Sequence, residues 1–109
     1  MDKVDELLKR LDIKYPPCGF YIGDGWFPIV ASALEAMVLA GWDRDLQQVK
    51  QKFCGLRIYI GATTPEIEAL IDSAEARCWK ACEHCGKPHG IDFKSEMGGW
   101  GEALCKVCR

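Results

Sequence analysis

Two short cysteine pairs dominate the chemistry this chain could perform. Cys82-Glu83-His84-Cys85-Gly86 and Cys105-Lys106-Val107-Cys108 each place two thiols three residues apart, and nineteen residues separate the pairs. Thiols at that spacing bracket a tight turn, and Gly86 lets the backbone fold back under the sulfurs. Two such turns deliver four soft ligands to a tetrahedron, the arrangement that zinc prefers. A site closed by Cys82, Cys85, Cys105 and Cys108 leaves no position for water, so one structural and non-catalytic zinc ion is expected. An iron centre shares the signature, but nothing else in the sequence points to electron transfer. Cys78, four residues before Cys82, and His89 are the alternative ligands.

Three cysteines remain of seven. Cys54 alternates with Leu56 and reads as buried sheet, Cys78 as a core thiol, and Cys18 as a buried small apolar residue in a loop rather than a nucleophile. The two histidines, His84 and His89, both fall inside the metal module, which leaves a cysteine nucleophile without a base. His84, between two ligands, reads as solvent-facing or as support for the site. Asp24 with Glu35, or Asp43 with Asp45, are better explained as a helix cap and a solvated turn than as paired acid and base. A zinc deaminase would need His-x-Glu upstream of Pro-Cys-x-x-Cys, which is missing. The stretch between the knuckles lacks the Asn and second His of a His-Asn-His nuclease. Gly19, Gly23 and Gly25 lack the Gly-Lys-Ser/Thr of a phosphate loop. The expectation is a protein that is not an enzyme.

The elements that must hold the module can be read from periodicity. Asp2 caps a first helix with Val4, Leu7, Leu8 and Leu11 on one face, and Pro16-Pro17 is the expected stop. Residues 16–25 form a loop, with one short extended piece at residues 19–22. A second, central helix is predicted from Pro28 to Ala40, closed by Gly41, with Ile29, Val30, Ala33, Leu34, Met37 and Val38 inward. Leu46 to Ile60 reads as strand with a hairpin, Leu56, Ile58 and Ile60 facing in and Arg57 and Tyr59 out. An earlier strand carries Gln47, Val49, Gln51 and Phe53, with Lys50 and Lys52 outward, and Gly55 marks a bulge or a close approach. A third helix starts at a Thr63–Glu66 capping box or at Thr64 with Pro65 as its first residue. It buries Ile67, Leu70, Ile71, Ala74 and Cys78 and leads to the first knuckle near Lys80. Gly98 to Gly101 supply a turn whose Trp100 covers the metal.

The fold expected is α+β. Two or three helices pack on a short antiparallel sheet, with a zinc-ribbon-like lobe at the C-terminus. Residues 1–81 form the core and 82–109 the metal module, packed on it as a single unit. At 109 residues, with 49% of them hydrophobic, the chain supports one core rather than two and is not disordered. No apolar segment follows the charged residues 1–10, and the longest apolar run is far short of the roughly 18 residues of a membrane span. Position 2 is Asp and position 106 is Lys, so neither myristoylation nor prenylation is signalled. A cytoplasmic protein is expected.

The formal charge is -2, and four thiolates with one zinc would bring it to about -4. That balance weighs against a broad duplex-binding surface. Two segments could serve as a working surface. One is the loop 18–26 with Phe20, Tyr21 and Trp26; the other is the strand face with Lys50, Lys52, Arg57 and Tyr59. Aromatic residues and Arg are enriched where partners bind most tightly. Phe20 and Trp26 also fit a core role, and the lysines an ordinary solvated face.

Gly23-Asp24-Gly25-Trp26, then Lys50-Gln51-Lys52-Phe53-Cys54-Gly55-Leu56-Arg57-Ile58-Tyr59, then Cys82-x-x-Cys85-Gly86, then Gly99-Trp100 and Leu104-Cys105 form a recognisable series. It resembles a family of small zinc-knuckle proteins encoded in phages and prophages. These read Gly-Asp-Gly-Trp, Lys-x-Lys-Phe-Gly-x-Leu-Arg-Phe-Tyr, Cys-x-x-Cys-Gly, and a late Gly-Trp with Leu-Cys. The resemblance spans residues 18–108. It departs at Cys54, inserted between Phe53 and Gly55, and at Cys108, where the family often has His, also a zinc ligand. It implies a phage setting and host cytoplasm and brings no mechanism with it. The function expected is a structural-zinc module that binds a host protein, with inhibition of that protein as one form such binding could take. The alternative is nucleic-acid binding through the lysine-bearing strand with Lys87, Lys94 and Lys106.

Overall fold

The computed structural model describes residues 2–87, 91–95 and 101–105. In chain order the elements are α1 (Lys3–Arg10), β1 (Phe20–Tyr21), α2 (Phe27–Leu39), β2 (Leu46–Lys52), β3 (Gly55–Ile60), α3 (Pro65–Cys78), β4 (Ile91–Ser95) and β5 (Gly101–Cys105). The class is α+β, as expected. No helix among the described residues is long and apolar enough to cross a membrane.

α2 is central because its apolar residues are too many for one stripe. Ile29, Val30, Ala33, Leu34 and Met37 are all buried. Pro28 sits in the first turn, where its missing N–H costs nothing. Gly41 then takes φ +90°, which a residue without Cβ adopts freely, and the Trp42 N–H returns to the Met37 carbonyl at 3.0 Å. α3 packs on α2 and on β3. Its cap is Thr64, whose Oγ1 accepts from the Ile67 N–H at 3.2 Å, with Pro65 as the first helical residue. The alternative start at Thr63 is not used. α1 begins as expected, with Asp2 accepting from the Asp5 N–H at 2.9 Å. It ends sooner than Pro16-Pro17 would require. Asp12 turns left-handed at φ +57°, and the Ile13 N–H closes on the Leu8 carbonyl at 2.8 Å. The stop is thus a local C-terminal turn rather than the prolines.

The sheet corrects one expectation. β2 and β3 are antiparallel, with Lys50 opposite Arg57 and Val49 opposite Ile58, but β1 runs parallel to β2, with Phe20 beside Val49 and Tyr21 beside Lys50. The sheet is therefore mixed, in the order β1-β2-β3. The reason is the connection: α2 lies between β1 and β2, and such a crossover returns the chain in the same direction. Phe20, Val49, Leu56 and Ile58 face the helices and are buried with Trp26, Val30, Leu34 and Met37.

The hairpin between β2 and β3 also differs in detail. Lys52 pairs with Gly55, so Phe53 and Cys54 form a two-residue turn and not strand. Both have positive φ, +51° and +68°. A two-residue hairpin of this hand suits the sheet twist but normally uses Asn-Gly, because a Cβ is disfavoured there. The irregularity in the pairing lies between Leu46 and Gln48, not at Gly55. Gly55 marks a close approach instead: a Cβ there would stand 2.9 Å from the Arg57 guanidinium and 2.9 Å from the Trp79 ring. Replacing Phe53-Cys54 by Asn-Gly is expected to stabilise the fold by about 1–2 kcal/mol, measured as a rise in urea midpoint at constant slope. An unchanged or lower midpoint would mean that strain in the left-handed turn does not exceed what the buried Cys54 side chain contributes.

β4 and β5 form a separate antiparallel ladder, from Ile91 opposite Cys105 to Ser95 opposite Gly101. Ala103 is buried in the main core. The predicted turn at Gly98–Trp100 lies outside the described residues.

Candidate metal centre

The metal centre is built at the junction of three segments. α3 ends at Cys78, and the backbone then turns through 79–81 into the first knuckle. There the Gly86 N–H donates to the Cys82 carbonyl at 2.8 Å and the Cys82 N–H to the Lys87 carbonyl at 2.9 Å. Gly86 has φ +79°, the left-handed conformation that its place in the motif implied. The Glu83 N–H donates to the Ala103 carbonyl at 2.7 Å, which brings the end of β5 against the knuckle.

The result is convergence of Cys82, Cys85 and Cys105, whose sulfurs all lie within 4.8 Å of one another. Cys85 Sγ is 3.7 Å from Cys105 Sγ. The Cys85 N–H points at Cys82 Sγ, 3.5 Å away. Burial alone would raise the Cys82 thiol, but the backbone N–H groups of Cys85, Cys105 and His84 outweigh it and draw the thiol down to about 6. Peptide dipoles thus favour the thiolate, the form that binds a metal. Three soft sulfurs in this compass can hold a metal ion, and thiolate ligands select zinc, copper(I) or iron over hard cations.

Cys108, the fourth expected ligand, lies outside the described residues, as do His89, Trp100 and Lys106; the side chain of Lys94 is not described either. Cys78 does not join the cluster. It is fully buried, and burial pushes its thiol up to about 12, as befits a core thiol. Cys54 is buried, as expected, but Cys18 is exposed and is not the buried small residue expected in that loop. His84 is exposed in the knuckle turn.

Sequence reasoning missed what supports the knuckle. The loop 23–26 is its clamp. The Gly25 N–H donates to the Glu83 carbonyl at 2.8 Å. A Cβ on Gly25 would overlap the Cys82 carbonyl oxygen and the Gly86 nitrogen, and one on Gly23 would overlap the Glu83 carbonyl. The indole N–H of Trp26 donates to the Ala81 carbonyl at 2.9 Å in the core. Gly-Asp-Gly-Trp therefore reads as two glycines that admit the knuckle backbone and one tryptophan that anchors its approach. Lys3 pairs with Asp24 at 2.9 Å, and this lysine holds the Asp24 carboxyl below its ordinary range. From the other side, Gln51 on β2 donates to the Glu83 carboxylate at 3.1 Å.

These contacts revise the first of the two expected working surfaces. Phe20 is 7% exposed and Trp26 fully buried, so neither is available to a partner. A buried indole needs an acceptor, and the Ala81 carbonyl supplies it. Tyr21 stays exposed, as does Tyr59, and Lys50, Lys52 and Arg57 are half-buried on the sheet. No family model matches the chain, and neither a curated protein nor a solved structure matches it.

Proposed function

We propose that this chain is a non-enzymatic binding module whose C-terminal hairpin is clipped to its core by one structural zinc ion. The observation that carries the reading is the convergence of three thiols on a knuckle that the peptide backbone has already shaped for thiolate. Cys108 completes the set. A closed four-thiolate site has no open position and so contributes folding energy rather than chemistry. The metal then serves to hold the end of α3, the loop 23–26 and β5 together beneath the sheet that meets the partner. The resemblance to phage-encoded zinc-knuckle proteins supports a phage or prophage setting and action in a host cytoplasm. The Tyr and Arg residues of the sheet face, types enriched where partners bind, support that face as the binding surface.

Metal content is the direct test. Native mass spectrometry of the purified protein is expected to give one zinc per chain, absent from a Cys82→Ala variant and from chelator-treated protein. A zinc-free native chain that keeps its fold, or two metals per chain, would overturn the reading.

A further inference from the structure

The sheet has a second face, turned away from the helices. Strand alternation puts Tyr21 of β1, Lys50 and Lys52 of β2, and Arg57 and Tyr59 of β3 on it. Tyr21, Lys50 and Arg57 stand in one row across the three strands. At the hairpin end the exposed ring of Phe53 joins them. The ring of Trp79, from the turn after α3, lies against Gly55, and that of Tyr21 lies over Gly19. A glycine at each of these points lets a ring rest on bare backbone. Tyr21 is 66% exposed, Phe53 51%, Trp79 43% and Tyr59 40%. Lys50 and Lys52 lay their ammonium groups toward the Tyr59 and Phe53 rings, at 5.9 and 5.6 Å.

Charge on this face opposes that of the chain. β1, β2 and β3 contain three basic residues and no acidic one. The remaining chain holds eleven basic residues and sixteen acidic ones. Glu75 of α3 faces Arg57 at one margin, Glu68 and Asp72 of α3 line a hollow with Tyr59 at the same edge, and Glu83 is engaged by Gln51, which alternation puts on the opposite side of β2. The net charge that weighed against nucleic acid is thus an average over unlike surfaces.

We propose that this face binds single-stranded nucleic acid. The rings would stack on bases, and Lys50, Lys52 and Arg57 would meet the phosphates. Charge complementarity alone would suit any polyanion. Base stacking is what gives use to ring faces laid out beside the cations, and single strands expose the bases that duplexes hide. The proposal deepens the reading of the chain as a binding module by naming its partner.

The test is fluorescence anisotropy of a labelled oligothymidylate and oligouridylate, each about 12 nucleotides long. The full-length protein is used, and its metal content is measured on the same sample. Three phosphate contacts predict a slope of about -2 for log affinity against log salt. Tyr59→Ala is expected to weaken binding about 5- to 100-fold, whereas Tyr59→Phe, which keeps the ring, stays within about twofold. Lys50→Ala should reduce the slope by about 0.7. No binding at about 20 mM salt overturns the proposal. So does binding indifferent to Tyr59→Ala, or displacement by polyglutamate at equal charge, which would point to an acidic protein. Oligonucleotide binding by a chain without metal would leave this proposal standing and remove the zinc reading; the converse result would do the reverse.

Discussion

Stripping the proposed zinc ion is expected to cost this protein at least about 4 kcal/mol, the value reached when a ligand is present at about a thousand times its dissociation constant. For a chain of 109 residues that corresponds to a fall in melting temperature of roughly 15 °C or more. The cost should concentrate where the ligands converge. Cys82 lies four residues after the third helix, and Cys105 ends β5, so without metal the hairpin keeps its own ladder, and its described ties to the core are the buried Ala103 side chain and the Glu83–Ala103 bond. Hydrogen exchange after chelation should therefore accelerate first at residues 82–87 and 101–105, and later in α2. Cys82→Ser should reproduce the effect, and added zinc should not rescue it. Acid should act in the same direction, because protons would compete with the ion for the sulfurs proposed to hold it. Coincident melts of the chelated and untreated protein would rule out a structural metal.

The second large effect is expected from one methyl group. Gly25→Ala would drive a Cβ into the Cys82 carbonyl oxygen and the Gly86 nitrogen. Both are backbone atoms of the knuckle, so no side-chain rotation relieves the overlap. Either the loop moves off the knuckle, breaking the Gly25–Glu83 hydrogen bond and displacing Trp26, or the knuckle opens and the thiols separate. The cost is expected to be about 3 kcal/mol or more, beyond ordinary overpacking. Zinc affinity should fall as well, although no ligand is changed. Trp26→Phe separates the two contributions. It leaves the Ala81 carbonyl without its buried donor, for about 1–3 kcal/mol, while leaving the knuckle backbone free to hold metal. Unaltered stability and zinc affinity in Gly25→Ala would show that the loop does not brace the site.

The helices were legible because their signals are local. Asp2, Pro28, Gly41 and the Thr64-Pro65 step act on residues within a turn of themselves, and the structure uses each of them. The knuckle was legible for the same reason: Cys-x-x-Cys-Gly contains its own turn. Errors arose where a long-range contact decides. Alternation fits either strand direction, so the parallel seat of β1 could not be read from Phe20 and Tyr21 themselves. Cys54 fits the alternation with Leu56 yet sits in a left-handed turn, a choice that hairpin register makes and residue preference opposes.

For this chain the amino-acid order alone determined the class of the fold, the starts of its helices and three of the thiols that converge. Each of those depends on chemistry repeated within a few residues. Tertiary structure alone decided that Gly-Asp-Gly-Trp clamps the knuckle, since its partners Ala81 and Glu83 lie more than fifty residues away in the chain. It also decided that three cations and four exposed rings share one surface. Net charge averages over the whole chain, whereas a partner meets only the face that folding assembles.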